Sequence, residues 1–480
     1  MTTNTRPPWD TVIIGSGPNG LSAGIYLASK GLRVLILEAA DSLSAGTRTQ
    51  ELTLPGYLHD VGSAVHPMAY LSPYFKTLGL EKHGLEWVIP EASVAHPLDH
   101  EEAVLLTKSV AATAQNLGGD AANYQELVQP FAARIEDLLA DTLKPLGMPR
   151  SPLLLARFGL KAALPATLFA KAFFKSERAR ALFAGCAAHS VLPLDKVFTS
   201  AVGLLFLVTG HAENWAFPKG GAQHIAQALA ACFTGLGGEI IFSKRITRFE
   251  ELPPAKTYLF DTDPLQLASI ARQQLPAAYC QRLARYRFGP GIFKIDYALA
   301  GPIPWQDPRC LQASTVHVGG TFAEIAQSEK AAWTGQHANK PFVMLCQQSQ
   351  FDATRAPHGK HTGWAYCHVP AGSTKDMTPL IESQIERFAP GFRDVVVARR
   401  SMNTRDLCAY NPNYVGGAIT GGAADIWQLF TRPVARPNPY STPNPALFIC
   451  SASTPPGGGV HGMCGYYAAQ SIAKRLGVQE

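Results

Sequence analysis

The chain has 480 residues, 46% hydrophobic and 16% charged, a balance that excludes whole-chain disorder and, at roughly 150 residues per domain, points to two or three domains. Gly 42 and Pro 36 make it turn-rich without collagenous or low-complexity character. The net charge of +6 is scattered, with Arg399-Arg400 its densest pair, which argues against a nucleic-acid binder.

In chain order, Met1 to Asp10 is polar and carries no secretory signal. Thr11 to Ile14 reads as a buried parallel strand. It runs into Gly15-Ser16-Gly17-Pro18-Asn19-Gly20, a G-x-G-x-x-G. The spacing then predicts a helix over Leu21–Lys30 with Gly31 at its C′ position, and a second strand over Leu32–Leu37 that ends on Glu38. In such a unit the first glycine permits a tight turn and the second lets backbone approach a pyrophosphate. The third lets helix and strand pack closely, and the helix N-terminus offers free N–H groups to the phosphates. Glu38, 23 residues after Gly15, stands where an acid accepts hydrogen bonds from a ribose. Strand, helix, second strand and terminal acid together make a nucleotide site. They do not choose between FAD and NAD. No second unit of this kind is present, because Gly416-Gly417 and Gly421-Gly422 follow no long apolar strand. One unit predicts one tightly held dinucleotide, with the redox partner arriving as substrate.

Further along, Pro152 to Lys175 is rich in Leu and Phe, carries Arg157, Lys161, Lys171 and Lys175, and has no acid. Pro165 splits it into two short helices. A basic amphipathic segment of this kind suits a membrane interface or a lipid carrier; two ordinary covering helices are the alternative. Val197 to Ala212 is uncharged but too short for a spanning helix. Gly237 to Phe242 and Ile246 to Phe249 read as a hairpin. Helices are expected over Pro276–Leu283 and Met377–Phe388, and strands over Phe293–Leu299 and Val343–Cys346. Ala446 to Ser451 reads as a buried strand returning to the nucleotide domain. The glycines after Pro455-Pro456 lead into a helix over Met463–Leu476. Nine cysteines, none in a C-x-x-C, predict no disulfide framework, no metal site and a reducing, cytoplasmic compartment.

Beyond the fingerprint, Glu38-Ala39-Ala40-Asp41, Ala45-Gly46-Thr47-Arg48, Leu54-Pro55-Gly56-Tyr57 and His59 through Pro67 carry a resemblance. Trp215 through Gly221, Phe260 through Pro264, Tyr286 through Gly291, Gly301 through Trp305, Asn411 through Tyr414 and Ser453 through Met463 continue it. Together they resemble the phytoene desaturase-like FAD oxidoreductases, relatives of the amine oxidases and carotenoid desaturases, over essentially the whole chain. The resemblance implies an α/β architecture, with a discontinuous Rossmann-type FAD-binding domain over 1–95, 213–270 and 436–480. A mixed α+β substrate domain takes 96–212, largely helical, and 271–435. It implies non-covalent FAD held by Gly15, Ser16, Gly17, Pro18, Asn19, Gly20, Glu38, Ala39, Gly46, Thr47, Arg48, Gly62, Ser63, Ile246, Ser453, Gly459, Val460, His461 and Met463. Two departures stand out. Relatives usually show a glycine pair or triplet where this chain has Ser44-Ala45-Gly46, and many carry an acid near Ala452.

The implied chemistry is hydride transfer to flavin N5, with the protein supplying position, dryness and an acid or base. His461, in the glycine run that faces the flavin in relatives, His66, His317, and Lys294, which stands to hold a water near N5 or to pair with Asp296, are the candidates. Three functions compete. The first is a desaturase, saturase or isomerase of a polyprenyl, carotenoid-like or other hydrophobic substrate. The second is an amine oxidase-type enzyme, which wants an aromatic cage from residues such as Trp215, Tyr414, Tyr466 and Tyr467. The third is a flavin-holding interaction protein with vestigial turnover. Oxygen or a quinone is the expected acceptor, and 152–175 the expected point of peripheral membrane contact.

Overall fold

The computed structural model describes residues 8–43 and 45–478, so Ser44 lies outside the described residues. Five strands form a parallel sheet in the order Leu447–Ile449, Ala255–Phe260, Trp9–Ile14, Val34–Leu37, Glu239–Ile241. Its inner strands are near-continuous apolar runs because both faces are covered. The fingerprint helix, Pro18–Ser29, and the C-terminal helix, Met463–Arg475, cross closely. A Cβ on Gly465 would stand 1.8 Å from the carbonyl oxygen of Asn19, so only glycine permits that crossing. The sheet is thus assembled from three distant stretches of chain.

The second sheet has seven strands in the order Val396–Met402, Gly291–Leu299, His361–Val369, Val343–Cys346, Ala313–Val318, Ala92–Leu98, Glu101–Leu106. All neighbours are antiparallel except Ala313–Val318 with Ala92–Leu98. Ala92–Leu98 straddles the expected boundary at 95. On one face of the sheet, Ile381, Ile385, Phe388 and Phe392 pack against Ile295, Val316 and Leu345. The helices of 110–212 lie on the other side with the larger core.

The helices expected over 276–283 and 377–388 form as Ala277–Ala284 and Thr378–Phe388. Pro165 divides 152–175 as expected, into Pro152–Ala162 and Ala166–Phe173 bent by 101°. The hairpin expected from 237–242 and 246–249 does not form. Glu239–Ile241 pairs in parallel with Leu35–Leu37 instead, and Ser243, at φ 53°, turns the chain across the end of that strand. Ser243 and Lys244 donate backbone N–H groups to the carbonyls of Ala40 and Glu38. An edge strand beside an apolar parallel strand pairs with it rather than folding back on its own polar continuation. All nine cysteines are free. Among the described residues no single helix is long and apolar enough to cross a membrane.

A buried ionic knot ties the small hairpin Thr49–Glu51/Leu58–Asp60 to the turn at 352–355. Arg355 holds Asp60 at 3.0 Å and Asp352 at 3.1 Å, with all three side chains at most 1% exposed. Asp60 also accepts the Thr49 hydroxyl and the Ala222 N–H, and Asp352 accepts the Gly220 N–H.

Candidate functional site

One cavity of about 770 Å³ runs from the fingerprint turn to the face of the seven-stranded sheet. At its nucleotide end, Trp9–Ile14 delivers the chain into Gly15, at φ 106°, and Gly17 starts a helix that opens with Pro18 and has no side-chain cap. A Cβ on Gly20 would lie 2.2 Å from the Gly15 carbonyl oxygen, and one on Gly17 2.5 Å from Asp261 Oδ2. The turn therefore closes only with glycine at 20, while a side chain at 17 would displace the Asp261 carboxylate. Glu38 is buried at the end of the second strand; it accepts the Ser16 N–H at 2.9 Å, the Ser16 hydroxyl at 2.6 Å and the Ala40 N–H at 2.9 Å. Two carboxylate oxygens with about four acceptor positions leave room for a ribose hydroxyl beside these bonds.

The cavity wall takes in the cofactor residues expected from the sequence except Ser16, Gly20 and Met463. Ser16 and Gly20 shape the turn from behind, and the Met463 N–H is used by His461. Ile246 reaches the wall through the turn at Ser243, which the expected hairpin would not have allowed. At Ala452, where many relatives carry an acid, the covering loop packs closely: a Cβ on Gly421 would stand 2.4 Å from the Ala452 Cβ. The hydroxyls of Ser451 and Ser453, 2.6 Å apart, supply polarity there.

Asp261 was not among the residues singled out from the sequence. It ends the strand Ala255–Phe260 at the carboxyl edge, where ligands of parallel sheets collect, and its Oδ2 accepts the Gly20 N–H at 2.9 Å. Burial raises its carboxyl to about 7; the Gly20 bond pulls it down and the charge of Glu38 pushes it up. Its position after an apolar strand is visible in the sequence, but its contact with Gly20 depends on strands 240 residues apart.

At the other end the wall is one face of the seven-stranded sheet. The register aligns Lys294, Tyr366, Met344 and His317 in one row and Asp296, Trp364, Cys346 and Thr315 in the next. Tyr366, Met344, Trp364, Cys346 and Thr315 line the cavity; Lys294 does not. The first role expected of Lys294, holding a water beside the flavin, does not fit, because its ammonium is sealed onto Asp296 at 2.5 and 2.7 Å under the Trp364 ring. Pairing with Asp296, the alternative, is the arrangement found. Tyr466 and Tyr467 also lie off the wall, where Tyr466 packs on Tyr26 and Tyr74. Of the four expected cage aromatics only Trp215 and Tyr414 reach the cavity.

His66 and His461 both line the cavity, and their hydrogen bonds fix opposite tautomers. The Ser63 hydroxyl donates to the Gly46 carbonyl at 3.0 Å, so its oxygen accepts the His66 Nε2–H at 2.9 Å, leaving Nδ1 as a lone pair. In His461, Nδ1 accepts the Met463 N–H at 3.0 Å, so the proton sits on Nε2. Both leftover nitrogens are buried without a partner among the described residues. Burial lowers both rings to about 4, so both are neutral near pH 7. His66 offers the cavity an acceptor and His461 a donor.

A glycine cradle that any Cβ would fill, a helix start without a side-chain cap and ring nitrogens buried without a partner among the described residues fit a bound dinucleotide. Replacing Gly20 by valine should yield a protein that retains no visible flavin absorbance after incubation with excess FAD and desalting. A variant that keeps the full yellow spectrum would contradict the cradle.

Residues 13–78 match the family described as an NAD(P)-binding Rossmann-like domain. The chain is similar to the pyridine nucleotide-disulfide oxidoreductase domain-containing protein 2 of Rattus norvegicus, 25% identical over 98% of this chain and 94% of that one. It is also similar to the lycopene-forming phytoene desaturase of Pantoea ananas, 22% identical over 95% and 96%. Among solved structures, an oxidoreductase from Methanosarcina mazei shares the fold with a TM-score of 0.66 at 14% identity, covering 97% of this chain and 99% of that one. Putrescine oxidase bound to putrescine shares it with a TM-score of 0.62 at 16% identity, over 98% and 99%. Over nearly its whole length the chain is thus similar to oxidoreductases of the phytoene desaturase type, with a fold shared by the amine oxidases, and its Rossmann sheet and glycine cradle suit FAD.

Proposed function

We propose that the protein acts on a hydrophobic substrate, polyprenyl or carotenoid-like, as a desaturase, saturase or isomerase. The observation that carries this is the charge of the cavity wall. Its only carboxylates among the described residues are Glu38, Asp261 and Asp263, all at the nucleotide end. Elsewhere the wall is Leu143, Phe158, Leu205, Phe206, Ile292 and Met344, with neutral His189. An ammonium substrate would find no counter-ion there, whereas a hydrocarbon loses nothing by entering. That weighs against amine oxidation, and the two cage aromatics displaced onto the C-terminal helix weigh the same way.

Bound FAD supplies a two-electron acceptor that takes hydride from a substrate carbon at N5. The chain's part is to position and to move a proton. The apolar wall orients the substrate and excludes water. His66 Nδ1, an unprotonated nitrogen held by Ser63, accepts the proton that leaves the adjacent carbon in desaturation. His461 Nε2–H serves as a fixed donor. The electrons pass on to oxygen or a quinone. The free thiols are in line with a reducing compartment such as the cytoplasm, and a lipophilic substrate would reach the cavity from a lipid surface by way of 152–175.

The test is anaerobic mixing of the FAD-loaded protein with phytoene in detergent, and separately with putrescine and benzylamine, while the visible flavin band is followed. The polyene should bleach the band and the amines should not. His66→Gln should slow that bleaching by about 10²–10⁴-fold with the resting spectrum unchanged. Bleaching by the amines alone would establish the amine oxidase alternative, and no bleaching by any reductant substrate would favour the flavin-holding protein.

A further inference from the structure

The helix Glu177–Ala188 ends against the cavity in an uncommon way. Val191 has φ 53°, in the left-handed region that a β-branched residue enters only under constraint. The Ser190 and Val191 N–H groups donate to the carbonyls of Ala187 and Ala188, each at 3.0 Å. The tight turn this closes keeps His189, Ser190 and Val191 together in the cavity wall. Ser190 is 8% exposed, and its hydroxyl is buried without a partner among the described residues.

Trp215 lines the same cavity, its ring centroid 5.7 Å from that of His189. It is 2% exposed, and its Nε1–H also has no partner among the described residues. A third donor follows from the tautomer of His189. Its Nε2 meets the Nε2 of His317 at 3.1 Å, so one of the two rings donates. The other nitrogen of His317, Nδ1, is buried without a partner among the described residues, pressed so closely on the helix that a Cβ on Gly185 would stand 2.4 Å from it. A lone pair is left in such a place at less cost than an N–H. His317 therefore carries its proton on Nε2 and donates it. His189, neutral because burial lowers it to about 3, then carries its own proton on Nδ1.

We propose that Ser190, Trp215 and His189 form a subsite for one uncharged carbonyl oxygen, so that the substrate is a hydrophobic chain bearing a ketone, aldehyde or ester group. This rests on the reading of the cavity as a site for a hydrophobic substrate, and it narrows that class. Donors buried unpaired in an apolar wall cost stability, and proteins keep such groups where function needs them. Two N–H groups and a hydroxyl match an oxygen that has two lone pairs and no hydrogen to give. The cations of the wall are Arg48, Lys244, Arg245 and Arg432, none of them on the segments that bring these donors, so nothing there fixes a carboxylate. The Ala216 carbonyl, next to Trp215, accepts the His66 N–H at 2.9 Å, which brings the subsite and His66 to the same part of the wall. A C–H beside the carbonyl is acidified, because the donors stabilise the charge that its loss leaves on oxygen. Its proton passes more readily to His66 Nδ1 than one from a plain hydrocarbon chain.

The experiment is equilibrium dialysis of the FAD-loaded protein, with the flavin held reduced by dithionite so that no turnover occurs. The two probes are farnesylacetone, a polyprenyl ketone, and the hydrocarbon in which its C=O is replaced by CH2. The ketone should bind about tenfold or more tighter. Ser190→Ala and Trp215→Phe should each weaken the ketone about tenfold and leave the hydrocarbon unchanged. Ser190→Ala should melt no lower than the parent, since it removes a buried hydroxyl that no protein group uses. Equal affinity for ketone and hydrocarbon overturns the subsite, and so do variants that weaken both probes alike. A Ser190→Ala that melts markedly lower overturns it too, by making the hydroxyl part of the folded framework. If Trp215→Phe fails to fold, Ser190→Ala decides alone. Binding is read without turnover, so its failure beside intact phytoene bleaching condemns the subsite and leaves the redox reading standing.

Discussion

Lys294→Met should destabilise the protein by about 3–5 kcal/mol, measured as the shift of a guanidinium unfolding curve followed by flavin release and far-ultraviolet dichroism. The substitution leaves Asp296 fully buried, at 0% exposure, without its counter-ion. His59, 3.8 Å away, brings no positive charge, because burial lowers that ring to about 3, and Arg400, the partner of Asp296 across the strands, acts on it only through space. In the native protein burial already raises the Asp296 carboxyl to about 6, with Lys294 pulling it back. Loss of the lysine raises it further. A carboxyl raised on folding contributes stability below its unfolded value and loses it as pH climbs through the folded one. The deficit of Lys294→Met should therefore be smaller near pH 5 than near pH 8. Lys294→Met with Asp296→Leu removes both charges and should recover most of the loss. If instead the single variant keeps its stability and loses flavin reduction, Lys294 acts on the reaction and the sealed pair is not its purpose.

FAD binding should take up close to one proton at pH 8, and Asp261→Asn should abolish that uptake. Asp261 is buried at the turn that receives a pyrophosphate in folds of this kind, and burial holds its carboxyl at about 7. Most molecules of the apoprotein are therefore ionised there at pH 8. Bringing phosphate charges to the same turn favours the neutral acid. Calorimetry in buffers of different ionisation enthalpy reads the uptake directly. The same shift acts on the apoprotein: the raised carboxyl contributes stability that disappears as pH rises toward and past 7, so the apoprotein should melt higher at pH 6 than at pH 8, and Asp261→Asn should flatten that difference. Binding without proton exchange at pH 8 would mean that Asp261 stays charged beside the cofactor.

The nucleotide cradle was legible because it is local. Turn, helix start and terminal acid all fall within 30 residues, and each has a backbone reason that composition and spacing express. The discontinuity of the domain was legible only through the resemblance, since nothing in Leu447–Ile449 by itself says which strand it will join. Asp261 escaped notice because its importance lies in one bond to Gly20, made across the sheet. The substrate wall was out of reach for the same reason: its rows draw one residue from each of four strands, and the register that aligns Trp364 with Cys346 and Thr315 is a property of the folded sheet. Lys294 shows a partial case. Asp296 two residues on must share its face of a strand, which makes the pair readable, but not that Trp364 would shut it off from the cavity. The hairpin expected from 237–242 and 246–249 failed because β-pattern alone cannot say whether an edge segment will fold back or join a neighbour already formed.

The order of the strands bears on how the protein is made. The nucleotide sheet begins with Trp9–Ile14 and is completed only by Leu447–Ile449, while Gly465 of the last helix closes onto the first. At about 5–20 residues per second, a ribosome takes on the order of tens of seconds to travel between those two points. Throughout that time the fingerprint has been synthesised but has no finished sheet beneath it, and its apolar strands wait for a partner not yet translated. Truncation before Leu447 leaves the edge of Ala255–Phe260 unpaired instead of giving a smaller working enzyme. Yield in a heterologous host should depend more on chaperone supply during synthesis than on the amount of FAD in the medium.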